Sequence, residues 1–411
     1  MAATRTLSRV WPSDSRLDER GRLQVGGCDA IELAERFGTP AYVYAEDDVR
    51  ARSREFVEAF RARTEHFEVL FASKAFPCTA AYRIMAEEGL ACDVASGGEL
   101  HLALAGGFAP ERIYMHGNNK TPAELEYALN AGVGHVVIDN FTELEWLEAN
   151  APGQKVLLRV TPGISGDTHS FISTGQADSK FGFGMDDVAG AIERIDRLEL
   201  RGLHAHIGSQ LLDVAPFEEL GKLLASMGDY PLLNLGGGLG IAYTEDDDPP
   251  SVEDFAEAML SNAPDGVTVL CEPGRALVGN AGVTLYRVGA VKEIPGVRTY
   301  VAVDGGMSDN LRPMLYGARY EAEIADRFGG SDVVTVAGMH CESGDILIRD
   351  VSIESPRTGD VLVIPATGAY GHAMANNYNG VPRPPVIFCS GGEAREVVRR
   401  ETYEDLTYRD V

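Results

Sequence analysis

Phe67-Glu68-Val69-Leu70-Phe71-Ala72-Ser73-Lys74-Ala75-Phe76-Pro77 is the stretch from which the rest of the chain is read. Its first six residues are apolar or aromatic apart from Glu68, the composition of a buried strand, and Pro77 stops the run. Lys74 therefore stands at or just beyond the strand's C-terminal end, with its stem against apolar neighbours. An ammonium held there is costly to keep charged, so its pKa should fall and its amine should become nucleophilic. That is what a Schiff base with an aldehyde requires. The chain has only six lysines, at 74, 120, 155, 180, 222 and 292. In isolation, a lysine at a strand end is more often a surface residue with a snorkelling stem. The surrounding pattern argues for more.

Outward from this strand a regular beat appears. Strand-like runs at 67–72, 90–95, 112–115, 135–139, 155–160, 200–207, 231–235 and 267–271 are mostly separated by helical stretches. These include 79–88, 98–106, 122–131, 142–149, 215–227 and 252–261. Eight strands alternating with helices predict a (β/α)₈ barrel of the TIM type, with a doubly wound open sheet as the alternative on the pattern alone. Before the beat lie a short helix at 29–37, a strand at 41–45 and an amphipathic helix at 47–63. After Gly279 the texture becomes strand-rich, at 284–291, 299–303, 333–337, 345–351, 360–365 and 385–389. The expected organisation is α/β: a segment 1–40 that could pack on the β domain, a barrel at 41–279, and a mainly β domain at 280–411.

At 411 residues the chain is long enough for two cores. Its formal charge of −26 argues against nucleic acid or an anionic membrane as partner. An anionic ligand would have to be caught by local donors. The six cysteines (28, 78, 92, 271, 341 and 389) form no Cys-x-x-Cys pair, so neither a zinc site nor a disulfide framework is expected. No long apolar run and no apolar signal core is present, and a cytoplasmic location is expected.

In such a barrel, chemistry collects at the C-terminal ends of the strands. Those ends read Ser73-Lys74, Ser96-Gly97-Gly98-Glu99, His116-Gly117-Asn118-Asn119-Lys120, Asp139-Asn140, Arg159-Val160-Thr161, His206-Ile207-Gly208-Ser209, Gly236-Gly237-Gly238 and Glu272-Pro273-Gly274-Arg275. Gly236, Gly237 and Gly238 leave a strand with backbone N–H groups free to turn toward a phosphate. Ser209 adds a hydroxyl from the strand before, and Arg275 a guanidinium from the strand after. His206 is placed to lie against an aromatic ring. Glu272 is placed to hold a pyridinium proton, although pairing with Arg275 would also account for it. A Schiff-base lysine, a phosphate cradle, a stacking group and a pyridine-nitrogen partner together specify pyridoxal 5′-phosphate.

With these residues in hand, the chain resembles the fold-type III pyridoxal-phosphate decarboxylases, whose barrel and β domain are alanine racemase-like. Within them it is similar to the branch acting on diaminopimelate. The resemblance runs from about Thr39 to Pro385. Its carriers are Ala72-Ser73-Lys74-Ala75, His116-Gly117-Asn118-Asn119-Lys120, Thr174-Gly175-Gln176 to Lys180-Phe181-Gly182-Phe183, His206-Ile207-Gly208-Ser209-Gln210, Glu272-Pro273-Gly274-Arg275, Asp304-Gly305-Gly306-Met307 and Cys341-Glu342-Ser343-Gly344-Asp345. Phe71 and Phe76 flank the lysine where Tyr and Asn would be expected, which puts no chemical role in doubt.

The resemblance implies decarboxylation of meso-2,6-diaminopimelate to L-lysine, the last step of lysine synthesis by that route. It implies that Lys74 carries the cofactor, His206 stacks on its ring and Glu272 faces its nitrogen. Ser209, Gly236–Gly238, Gly274, Arg275 and Tyr370 would bind the cofactor. Substrate would meet Arg275, Arg312, Tyr316, Tyr370 and Glu342, and Cys341 would donate the proton that replaces CO₂. A homodimer with shared active sites follows from the same resemblance, and the loop 164–180 is the candidate to close over the substrate. A same-fold decarboxylase of ornithine, arginine or carboxynorspermidine, or a non-catalytic cofactor-binding homologue, is the alternative.

Overall fold

A computed structural model describes residues 7–164 and 179–411 of the chain. It divides into two compact units. One comprises Arg52–Gly240 and Pro249–Ala276; the other comprises Met1–Ala51, Ile241–Asp248 and Leu277–Val411, in each case over the described residues.

The first unit is a closed parallel barrel. Its strands are β1 (Phe67–Ala72), β2 (Ala91–Val94), β3 (Ile113–Met115), β4 (His135–Ile138), β5 (Lys155–Thr161), β6 (Glu199–His204), β7 (Leu232–Asn234) and β8 (Thr268–Cys271). Each pairs with the next in parallel, and β8 pairs with β1 to close the ring. The eight strand runs read from the sequence all appear, within one residue at either end, except that the run 200–207 stops at His204 and leaves His206 beyond the strand. Local chemistry explains the punctuation between them. Thr121 and Glu124 form a capping box at the start of Pro122–Ala131, and Gly132 ends that helix in the left-handed region. The short helix Val188–Glu193 and the two-residue strand Phe183–Gly184 were not anticipated, being too brief to show a period.

Strand side chains alternate, so residues two apart share a face. Leu70, Ala91, Tyr114, Val137, Leu157 and Leu270 form one buried apolar cluster, with Leu232 packed against it. Two residues further along the same strands come Ala72, Asp93, His116, Asp139, Arg159, Glu272 and Asn234. An apolar floor thus sits under a polar layer, and the polar layer lies where the strands end.

The second unit is mainly β. Its central strand, Gly282–Ile294, pairs antiparallel with Ala41–Ala45, Val361–Ile364 and Arg298–Val303. Val386–Ser390 joins Ala41–Ala45 in parallel. The strand at 41–45 therefore differs from the sequence expectation, which began the barrel there. All five of its residues are buried, and its pairing edges are taken by strands of this unit. Val10, Trp11, Leu23 and Val25 from the N-terminal segment share its core with Val43, Val283, Leu285, Val363 and Ile387. No helix among the described residues is long and apolar enough to cross a membrane.

Candidate functional site

Lys74 follows β1 on a single 3-10 turn, Ser73–Ala75. Its neighbours Ala72, Ser73, Ala75 and Phe76 are buried, but the lysine side chain is exposed, where the sequence reading had it against apolar neighbours. The turn lifts it clear of the strand. The Ala72 N–H donates to the Pro273 carbonyl at 3.0 Å, so the Lys74 turn is fixed to the end of β8. Gly274 is needed there for space, since a Cβ would stand 2.9 Å from the Ala72 Cβ and 3.0 Å from that of Ala75.

The ends of β6, β7 and β8 are laced together beyond their strands. Ala205 N–H donates to Asn234 O at 3.0 Å, Leu211 N–H to Gly238 O at 2.9 Å, and Glu272 N–H to Gly236 O at 2.9 Å. This seats Gly236–Gly238 between the Ser209 loop and Glu272, the juxtaposition proposed from sequence. The glycines are required by contact as well as by conformation. A Cβ would lie 2.8 Å from Ala205 O at Gly236, 2.0 Å from Glu272 O at Gly237 and 2.3 Å from Gly208 O at Gly238. Gly236 and Gly238 also have positive φ, 68° and 125°. Ser209 is half-buried and Arg275 buried, at the first residue of Arg275–Val278. His206 is half-buried, and its Nδ1 accepts from the Gly237 N–H at 3.3 Å. Burial first, then the charges of Lys74 and Arg159, holds its ring well below the ordinary histidine range. It is a neutral ring with the proton on Nε2.

Glu272 ends β8 with its side chain 9 % exposed. His116 Nε2 lies 3.0 Å from Oε1, Asn234 Nδ2 donates to Oε1 at 2.7 Å, and His204 Nε2 lies 3.3 Å from Oε2. Burial alone would raise this carboxyl, but His116 and then His204 beside it hold it well below the usual range, so Glu272 is an anion. It does not pair with Arg275 in any contact seen among the described residues. His116, His204 and Glu272 present ligand atoms within 4.8 Å of one another, as a metal site would. The Asn234 amide on the same carboxylate makes the group a hydrogen-bond network.

Sequence reasoning assigned no role to Asp93, His116, Arg159, His204 or Asn234. His116 and Arg159 were noted as strand ends; Asp93, His204 and Asn234 lie inside strand runs. The two-residue step from the buried apolar layer was the signal that finds most of them. Lys120, from the same motif as His116, is structural: its buried ammonium meets Glu143 Oε1 at 2.8 Å and donates to the Gly117 and Val137 carbonyls at 2.7 and 2.9 Å. Most of the loop 164–180, including Thr174-Gly175-Gln176, lies outside the described residues.

In the second unit, Arg312 is buried on the short helix Arg312–Tyr316. Its guanidinium lies over the Tyr243 ring at 4.6 Å and bonds the Tyr320 hydroxyl, while Tyr316 is half-buried. Cys341 and Glu342 are exposed, whereas Asp345 of the same motif is buried. The Asp345 carboxylate accepts from Met307 N–H at 2.7 Å and His340 N–H at 2.9 Å. A Cβ on Gly306 or Gly338 would strike it, at 2.5 and 2.1 Å. That contact packs the Gly305-Gly306 turn against the Cys341–Asp345 motif. Asn379 accepts the Cys341 N–H at 3.1 Å, a brace not foreseen from sequence. Tyr370 stands half-buried with φ 64°, just before Gly371–Met374.

Comparison with known proteins bears on this arrangement. A family model described as the pyridoxal binding domain of pyridoxal-dependent decarboxylases matches residues 46–279. The chain is 48 % identical to the diaminopimelate decarboxylase of Bacillus subtilis, over 97 % of each chain. It is 49 % identical to that of Actinosynnema pretiosum, over 98 % of this chain and 95 % of the relative. A crystal structure of diaminopimelate decarboxylase from M. jannaschii in complex with L-lysine superposes with a TM-score of 0.91 at 35 % identity, covering 97 % of this chain and 98 % of that one.

Proposed function

This chain belongs to the diaminopimelate decarboxylases, and from that premise we infer that it converts meso-2,6-diaminopimelate to L-lysine and CO₂ with pyridoxal 5′-phosphate. The observation that carries the reading is the end of β8, where an anionic Glu272 stands beside a turn whose three positions admit only glycine. Those residues fit the cofactor: a carboxylate for a pyridine nitrogen, a side-chain-free cradle for a phosphate, and an exposed amine on Lys74 for an aldehyde. When bound, the cofactor supplies an electron sink for the carbanion left as CO₂ departs.

The barrel's own residues then divide the work. Lys74 would hold the cofactor through its aldehyde. Ser209, Gly236–Gly238, Gly274 and Arg275 of the barrel would hold its phosphate, and Tyr370 would add a hydroxyl on this reading. The neutral His206 would lie against its ring without adding charge, and Glu272 would keep a proton on its nitrogen. From the β unit the reading takes Arg312, Tyr316 and Tyr370, together with Arg275 of the barrel, for the substrate's carboxylates. Glu342 takes the distal ammonium, and Cys341 delivers a proton to the α-carbon. Arg312 is suited to a carboxylate because its aromatic surroundings hold the fork in one orientation. Cys341 is suited because its thiol is exposed while its backbone is held by Asn379. The working assembly on this reading is a cytoplasmic homodimer with shared sites. The exposed apolar residues Leu315, Met339 and Tyr378, close in sequence to these groups, support it.

The test is CO₂ release by the pyridoxal-phosphate-loaded protein, offered meso-diaminopimelate, its LL isomer, ornithine, arginine and carboxynorspermidine side by side. Turnover confined to the meso compound, with lysine as product, is expected. Release from another amine would keep the chemistry and overturn the assignment of Arg312 and Glu342.

A further inference from the structure

Three side chains from three strands converge on Glu272, and each is itself constrained. Asn234 is fixed at its other end, because its Oδ1 accepts the Gly236 N–H at 2.9 Å, which leaves its amide hydrogens for Glu272. The His116 and His204 rings meet edge to face at 4.8 Å, so each limits the other's rotation. His204 is 1 % exposed, which leaves its ring no room to swing into solvent.

We propose that His116, His204 and Asn234 are positioning residues for Glu272, holding its carboxylate in one orientation to receive the pyridinium N–H of the cofactor. The proposal rests on the cofactor reading above and goes beyond it, since it assigns what makes Glu272 competent. Asn234 bonds Oε1 and His204 meets Oε2, with His116 Nε2 3.0 Å from Oε1, so both oxygens are fixed while each keeps a lone pair for the ring nitrogen.

The charges around the carboxylate agree. His204 is lowered to about 4, by burial first, so it serves as a neutral N–H donor and not as a cation. With Nε2 donating, Nδ1 is the bare nitrogen, and it has no hydrogen-bond partner among the described residues. Asp93, from β2, is pushed well above the ordinary carboxylate range, by burial first and by Glu272 second. The two carboxyls of the mouth are therefore shifted in opposite directions, Asp93 up and Glu272 down. Arg159 from β5 and Lys74 after β1 are the cations that face them. A histidine that merely filled space would be replaceable by an apolar side chain; a positioning histidine is not.

His204→Leu removes the donor at similar volume, and Asn234→Asp keeps the shape but sets a second carboxylate against Glu272. Both are made in the full chain and loaded with pyridoxal 5′-phosphate. Equilibrium dialysis reads cofactor retention, and a pH titration of the bound cofactor's visible absorption reads the surroundings of its nitrogen. Each variant is expected to hold the cofactor about tenfold or more weakly, the scale of one hydrogen bond to a charged group. The visible titration should move with it. His204→Gln, which restores an N–H donor, should recover most of the loss. Circular dichroism establishes which variants fold, and Asn234→Asp carries the test if His204→Leu does not. Wild-type retention and titration in a folded variant overturn the proposal. Wild-type protein that takes up no cofactor at all would overturn the underlying reading before any variant is compared.

Discussion

Gly237→Ala is the substitution with the sharpest expected consequence. The added Cβ would stand 2.0 Å from the Glu272 carbonyl oxygen and 2.8 Å from its carbon. Both are backbone atoms, so no rotamer relieves the contact. The turn and the Glu272 backbone must part by roughly 1.4 Å to reach ordinary contact at 3.4 Å. The Glu272 N–H to Gly236 carbonyl bond, 2.9 Å long, is lost in that movement. Overpacking of this kind costs about 1–3 kcal/mol and the lost bond about 1 more, so a loss of about 2–4 kcal/mol is expected. Urea unfolding with and without pyridoxal 5′-phosphate measures it. The increment that the cofactor adds should shrink as well, because Glu272 and the glycine turn shift together. Gly190→Ala is the control: it lies on the helix Val188–Glu193 with nothing within 4 Å of the added atom. There the same change should stabilise by up to about 1 kcal/mol through helix propensity. A Gly237→Ala protein within about 0.5 kcal/mol of wild type, with full cofactor linkage, would refute the claim that this turn is locked against β8.

Three further outcomes are expected. Asp345→Ala leaves the Met307 and His340 N–H groups without their acceptor and should cost about 2–4 kcal/mol in thermal or urea unfolding, with turnover falling as the Cys341 loop loosens. Cys341→Ala, at an exposed thiol, should keep stability within about 0.5 kcal/mol and retain the yellow cofactor, yet lose turnover by about a hundredfold or more; a variant with wild-type rates would remove Cys341 from the chemistry. His135, His204 and His372 are each lowered from 6.5 to about 4, by burial first. At these three sites the folded state then binds fewer protons than the unfolded, so their contribution to stability is full above about pH 6.5 and falls as the pH drops toward 4, opposed in the same window by Glu143 and Asp309, which burial raises to about 7. His135→Phe, which keeps an aromatic face on Tyr114, should flatten that slope by about one proton, and an unchanged slope would show that His135 does not titrate on unfolding.

Much of this was legible in order of residues alone. The eight barrel strands could be read because each is a short apolar run bounded by helix and turn signals, and local pattern is what a linear text records. The candidates Lys74, Ser209, Gly236–Gly238, Glu272 and Cys341 could be read because their motifs are contiguous. What the text alone did not show was partnership. Glu272 and His116 are separated by most of the barrel in sequence, and only closure of the ring brings them to 3.0 Å. The exposure of Lys74 likewise depended on a single 3-10 turn after its strand, too short to carry a periodic signal. The strand at 41–45 reads the same whichever sheet it joins; its edges found their partners in Gly282–Ile294 and Val386–Ser390, a choice made by long-range pairing. Sequence by itself thus determined the kind of elements and the kind of chemistry. Tertiary structure decided which buried polar groups meet, and therefore which way each carboxyl in the barrel mouth is shifted, because burial and neighbouring donors set ionisation and neither is a property of one position in the chain.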